Sequence, residues 1–125
     1  MEWVTEEGCT YGADFTIDDQ SGETRLVTIQ LKDYAGNNLS VPASIICYMA
    51  SNATGLTPAA LGDAELLQAT YGKLSILLTK LIFHLVSTAT GKIDVTVTEN
   101  GTDTYYLVLV MPNGKLVVSD ALTFV

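Results

Sequence analysis

GKIDVTVTENGTDTYYLVLVMPNGKLVVSDALTF, residues 91–124, is the stretch that decides the fold. Ile93, Val95 and Val97 alternate with Asp94, Thr96 and Thr98. A period of two with one polar face marks a half-buried strand. Asn100-Gly101 is a turn signal, and residues 104–111 (TYYLVLVM) read as a second, more apolar strand. Pro112-Asn113-Gly114-Lys115 lies between two apolar runs, the pattern of a tight hairpin. Residues 116–118 and 121–125 complete the segment, with a kink or bulge expected at Ser119-Asp120.

The same rhythm continues toward the amino end. In residues 24–32 (TRLVTIQLK), Val27, Ile29 and Leu31 point one way while Thr28, Gln30 and Lys32 point the other. Residues 33–39 (DYAGNNL) are turn chemistry, because Gly36 and Asn37 tolerate positive φ. Pro42 opens an apolar segment over 43–50, and 51–62, rich in Ser, Asn, Thr, Gly and Pro, reads as loop. Residues 63–86 are ambiguous. Leu74, Leu77, Leu78, Leu81, Ile82 and Leu85 fit a helical stripe, and Asp63 could start a helix. Tyr71-Gly72 interrupts that stripe, so two short buried strands, 73–79 and 81–87, bent near Lys80, are the preferred reading. Residues 1–12 show no clear period and form an arm or edge strand, leaving 13–125 as one all-β domain. Seven to nine short strands with turns between them make a sandwich or a barrel.

Composition agrees. The chain has 125 residues, 48% hydrophobic and 16% charged, with a mean hydropathy of +0.31. That is enough apolar content for a core and too little charge for disorder. Sixteen threonines suit pleated, half-buried surfaces. The net charge of −8, with no cluster of Lys or Arg, excludes nucleic acid as a partner. Seven of the acids, Glu2, Glu6, Glu7, Asp14, Asp18, Asp19 and Glu23, precede Arg25, the first basic residue. They make a solvated face, or an arm suited to a basic neighbouring surface. The opening residues lack the pattern of a signal peptide, and the longest apolar run, 74–86, contains Lys80 and His84 and is too short to enter a membrane. Cys9 and Cys47 are therefore expected as free thiols.

Residues capable of chemistry are scattered. His84 is the one histidine, and no motif sets it against Ser75, Ser87 or Cys47 as a catalytic relay demands. Asp18-Asp19 and Asp33 with Asn37 and Asn38 are oxygen-rich but lack the spacing of a calcium loop. Two distant cysteines and one histidine do not make a zinc set, and no phosphate-binding loop occurs. Neither a catalytic residue, a metal nor a cofactor is predicted. Binding residues are: Trp3, Val4 and Tyr11 in the arm, with Leu77, Leu81 and Phe83 in the over-apolar segment, are expected at a partner interface. Tyr34 with Asn37 and Asn38 is the candidate exposed loop, with host-surface glycan as its ligand.

Two local patterns favour a sandwich. Gly101-Thr102-Asp103-Thr104-Tyr105-Tyr106-Leu107 resembles the tyrosine corner of immunoglobulin-like domains, and Asp33-Tyr34-Ala35-Gly36-Asn37-Asn38-Leu39 resembles a turn of bacterial Ig-like repeats. The chain lacks the mid-domain Trp of antibody domains. Together, FTIDDQ, VTIQLKDYAGN and residues 91–124 are similar to small Ig-like structural proteins of tailed bacteriophages, over most of 15–124. That resemblance implies an immunoglobulin-like antiparallel sandwich made in the bacterial host cytoplasm and carried on the virion. It implies a capsid decoration protein (cement or head fibre) that binds the major capsid protein or another virion protein, as a homodimer or trimer. A tail or neck component and a glycan-binding module for host adsorption are the alternatives.

Overall fold

The computed structural model of the chain describes residues 12–61, 65–99, 101–112 and 114–124. Its strands are β1 (Gly12–Ile17), β2 (Thr24–Lys32), β3 (Ser44–Ala50), β4 (Glu65–Gln68) and β5 (Lys73–Leu78). They continue as β6 (Ile82–Val86), β7 (Lys92–Thr98), β8 (Thr104–Val110), β9 (Leu116–Val118) and β10 (Leu122–Thr123). Every pairing is antiparallel. Sheet I runs β1-β2-β7-β4; sheet II runs β10-β8-β3-β6-β5, with β9 also on β8. With strands lettered in the immunoglobulin manner, sheet I has the order A-B-E-D and sheet II is a G-F-C sheet extended by the β5–β6 hairpin. The chain is an immunoglobulin-like antiparallel β-sandwich.

Alternation decides which residues fill it. Val27, Ile29 and Leu31 of β2 are buried opposite Val95 and Ile93 of β7, as their period requires. From sheet II, Ile45, Cys47 and Met49 of β3, Phe83 and Leu85 of β6, and Leu107 and Leu109 of β8 meet them. Phe124 and Leu122 close one end of this core. There Arg25 donates from Nε to the Thr123 carbonyl (2.8 Å) and lies over the Phe124 ring, tying β2 to the end of the chain.

Expectations and structure differ in four places. Ten strands are present rather than seven to nine. Gly12, assigned to the arm, begins β1 and pairs with Lys32. Residues 65–68 form a short strand on β7 where the sequence suggested a helix start or a loop. Residues 73–86 form the expected hairpin, and the helical option is wrong because the stripe of leucines divides between two strands. Leu78 and Leu81 close its turn, with Lys80 at φ 65°. Ser119 is the expected kink: β9 and β10 sit on one edge of β8 on either side of it, and its Oγ accepts the Leu107 N–H.

Candidate binding surfaces

The Tyr-bearing turn into β8 acts as a corner. Tyr105 is buried, and its hydroxyl lies between the Leu61 carbonyl oxygen (2.7 Å) and Glu99 Oε2 (2.9 Å), two acceptors for its one proton. Glu99, itself buried, accepts the Gly101 N–H at its other oxygen. Burial first, then the Glu99 hydrogen bond and the charges of Glu99 and Asp103, push the Tyr105 hydroxyl well above its ordinary range. The 51–61 loop is thereby fixed to the far strand. Its Gly55 carbonyl accepts the Tyr48 hydroxyl, and Gly55 lies against Val108 and Val118 on the outer side of sheet II.

The two outer faces differ in chemistry. On sheet I, the outward row Asp14–Gln30–Lys92 and the residues Thr16, Thr28, Thr96 and Thr98 present hydroxyls, amides and charges. On sheet II, one cross-strand row runs Ser75–His84–Ile46–Val110–Leu116, flanked by Val86 and Ile82. Ile46 is 44% exposed at its centre. A shallow depression of about 460 Å³ there is lined by Ser44, Ile46, His84, Val110, Met111 and Pro112 among others. His84 is half-buried in this row, between Ile46 and Ser75 on the neighbouring strands. A histidine flanked in this way adds a polar spot to a contact face. Among the described residues, no three of His, Cys, Asp and Glu gather in a way that could hold a metal ion.

A second surface is a notch where the sandwich is open. The edge strands β4 and β5 lie side by side, one from each sheet. Ile76 pairs with Phe83, so it faces the inter-sheet side, yet it is 59% exposed because no strand of sheet I lies over it. The notch holds about 130 Å³, with Leu66, Leu67, Ile76 and Phe83 as its walls and Glu65, Thr79 and Lys80 at its rim. Leu77 and Leu78, at a bulge in β5, are about half exposed beside it. The crossover from β4 to β5 is held by Asp94, whose Oδ1 accepts the N–H groups of Thr70 and Tyr71. Asp94 was expected on a solvated face; it is buried beneath this crossover.

Of the residues expected at an interface, Leu77 is exposed and Leu81 is half-buried in the hairpin turn. Phe83 is a correction. It is 1% exposed and belongs to the core, because its position in β6 turns it inward with Leu85, and only its edge floors the notch. Trp3, Val4 and Tyr11 lie outside the described residues, as does Cys9. Cys47 is a free, buried thiol, pushed by burial up to about 12. Tyr34 is 60% exposed in its turn, with Asn37 and Asn38 exposed beside it. That turn is rigid: Asp33 Oδ1 accepts the Asn37 N–H, and Lys32 Nζ donates to Asn38 Oδ1. Sequence reasoning missed Ile46, His84 and Val110 as one surface. The signal was present in the outward positions of ASIICYMA and TYYLVLVM, which are apolar where those of TRLVTIQLK are largely polar.

No protein-family model matches the chain, and no curated protein matches it in sequence. Among solved structures, it is similar to the cohesin module from the family 33 glycoside hydrolase of Clostridium perfringens ATCC13124, at 10% identity and a TM-score of 0.44, over 93% of this chain and 94% of that one.

Proposed function

We propose that this protein is a non-catalytic structural component of a tailed-phage particle, a capsid decoration protein that docks on the capsid lattice through the outer face of sheet II. The observation that carries the docking reading is the contrast between its faces. A polar, threonine-rich sheet is stable against water, whereas the row Ile46–Val110–Leu116 with Val86 and Ile82 leaves apolar surface that a neighbouring subunit would remove from water. Burial of that surface supplies affinity, and Ser44, Ser75 and His84 within it supply direction through hydrogen bonds. The phage setting is supported by the sequence likeness of residues 15–124 to small Ig-like virion proteins.

The test is quantitative mass spectrometry of density-gradient-purified source particles. Lattice numbers, on the order of hundreds of copies, support decoration; a few copies move the protein to the tail or neck, and none overturns the reading. Ile46→Asp is expected to abolish rebinding to stripped capsids while leaving the circular dichroism spectrum unchanged. The rigid, exposed Tyr34–Asn38 turn favours a second reading, adsorption to host glycans. Particle-free protein retained on a glycan array, with retention lost in Tyr34→Ala, would support it.

A further inference from the structure

The β4–β5 notch differs from the docking face in geometry and in charge. β5 is an edge strand, and Leu74 turns its N–H outward to the Gln68 side chain rather than to β6. Backbone direction repeats every second residue, so Ile76 offers its N–H and C=O on the same outer side. Edge groups of this kind accept an added strand. The opposite side of the sandwich has Arg25 bridging β2 to Thr123 and Phe124, whereas this side leaves Ile76, Leu77 and Leu67 half exposed around a cavity that reaches Phe83.

Charge narrows what can lie there. Between Leu66 and Thr98 the chain carries Lys73, Lys80 and Lys92 and a single acid, Asp94, although the whole chain is at −8. Lys73 begins β5, and Lys80 stands at the rim of the notch. The fitting occupant is therefore an extended segment that is acidic and carries large apolar side chains. The stretch preceding β1, MEWVTEEGCTY, has that composition: Glu2, Glu6 and Glu7 interleaved with Trp3 and Val4.

We propose that residues 1–11 of one copy add as a strand to the β5 edge of a second copy, with an apolar side chain in the notch and the glutamates facing Lys73 and Lys80. Length selects the second copy. Residues 1–11 leave from β1, at the opposite edge of sheet I from β4. Extended, they span at most about 36 Å. Passing three strand spacings and the gap between sheets in their own subunit takes about 25 Å. Too little then remains to lie along β5, which needs about 20 Å. A contact of one surface with a different surface repeats head to tail, and so closes a ring or extends a chain.

The experiment uses purified protein without particles, so its failure is distinct from failure of the decoration reading. Sedimentation velocity of the full chain is expected to show oligomers that dissociate in high salt. Removal of residues 1–11 is expected to give monomers with an unchanged circular dichroism spectrum. A synthetic peptide of residues 1–11 should bind the truncated protein, followed by its Trp3 fluorescence. Ile76→Glu and Lys73→Glu, both at exposed positions, should each weaken that binding at least tenfold. Full chain that stays monomeric at high concentration, or peptide binding indifferent to both substitutions, overturns the proposal.

Discussion

Cys47 and Tyr105 are the two side chains whose protons the fold holds most firmly, and both give stability the same dependence on pH. Burial raises the Cys47 thiol from 9.0 to about 12, and Tyr105 is raised by burial and by Glu99. The folded chain then keeps protons that the unfolded chain releases in alkali. Their contribution is complete below about pH 9 and is lost as pH rises above it. Urea denaturation at pH 8 and pH 10.5 should show a loss of about 2 kcal/mol from Cys47 alone, with more from Tyr105 as its unfolded range near pH 10 is entered. Tyr105→Phe separates the two. It costs about 1–3 kcal/mol at neutral pH by leaving Glu99 and the Leu61 carbonyl without their donor, and its alkaline slope should be shallower. An equal slope in variant and parent would mean that the Tyr105 proton plays no part. The corner itself was legible, because a Tyr after a Gly-Thr-Asp-Thr turn resembles a known motif. Its acceptors were not, since Leu61 comes from a loop far away in the chain.

Elements with one face in water and one in the core could be read directly. β2 and β7 show strict alternation because each is covered on one side only, and β2 was placed at its observed bounds. β4 and β5 could not be read with equal ease. β4 is four residues long and too short to show a period; β5 is apolar on both faces because its inner side lines an open notch and its outer side a contact face. The stretch was correctly read as over-apolar, while Phe83 was misassigned because period alone does not say which face is inward. The link between β4 and β5 carries the chain from sheet I to sheet II, and Gly72 sets its path. Its φ is +79°, and a Cβ there would stand 2.6 Å from the Val86 carbonyl oxygen. Gly36, at +86°, has nothing within 4 Å of that position. Gly36→Ala therefore reports the conformational cost alone, about 1–2 kcal/mol, and Gly72→Ala should exceed it by a further 1 kcal/mol or so through displacement of β6. Equal losses in denaturant would show that the crossover yields without strain.

For the molecule as a whole, charge is arranged against compactness and in favour of contact. Fourteen acids face six bases, so at least eight carboxylates have no cation of their own. The pair between Lys32 and Asp14, at 3.7 Å, is exposed on the Asp side and contributes little. Repulsion among carboxylates is then the dominant long-range term at neutral pH, and screening it should stabilise the fold. Raising sodium chloride from about 0.01 M to about 0.15 M shortens the screening length from about 30 Å to about 8 Å. The expected result is a higher Tm, by about 4 °C for each 1 kcal/mol recovered in a chain of this size. Seven of the acids precede Arg25, three of them before Gly8, so the chain lacking residues 1–11 should show a smaller rise. Scans at low protein concentration keep self-association out of the measurement. A Tm that falls with salt would mean that specific ion pairs outweigh the net charge. A rise undiminished by the truncation would place the repulsion among the carboxylates of the sandwich itself, with the amino-terminal acids already far from their like.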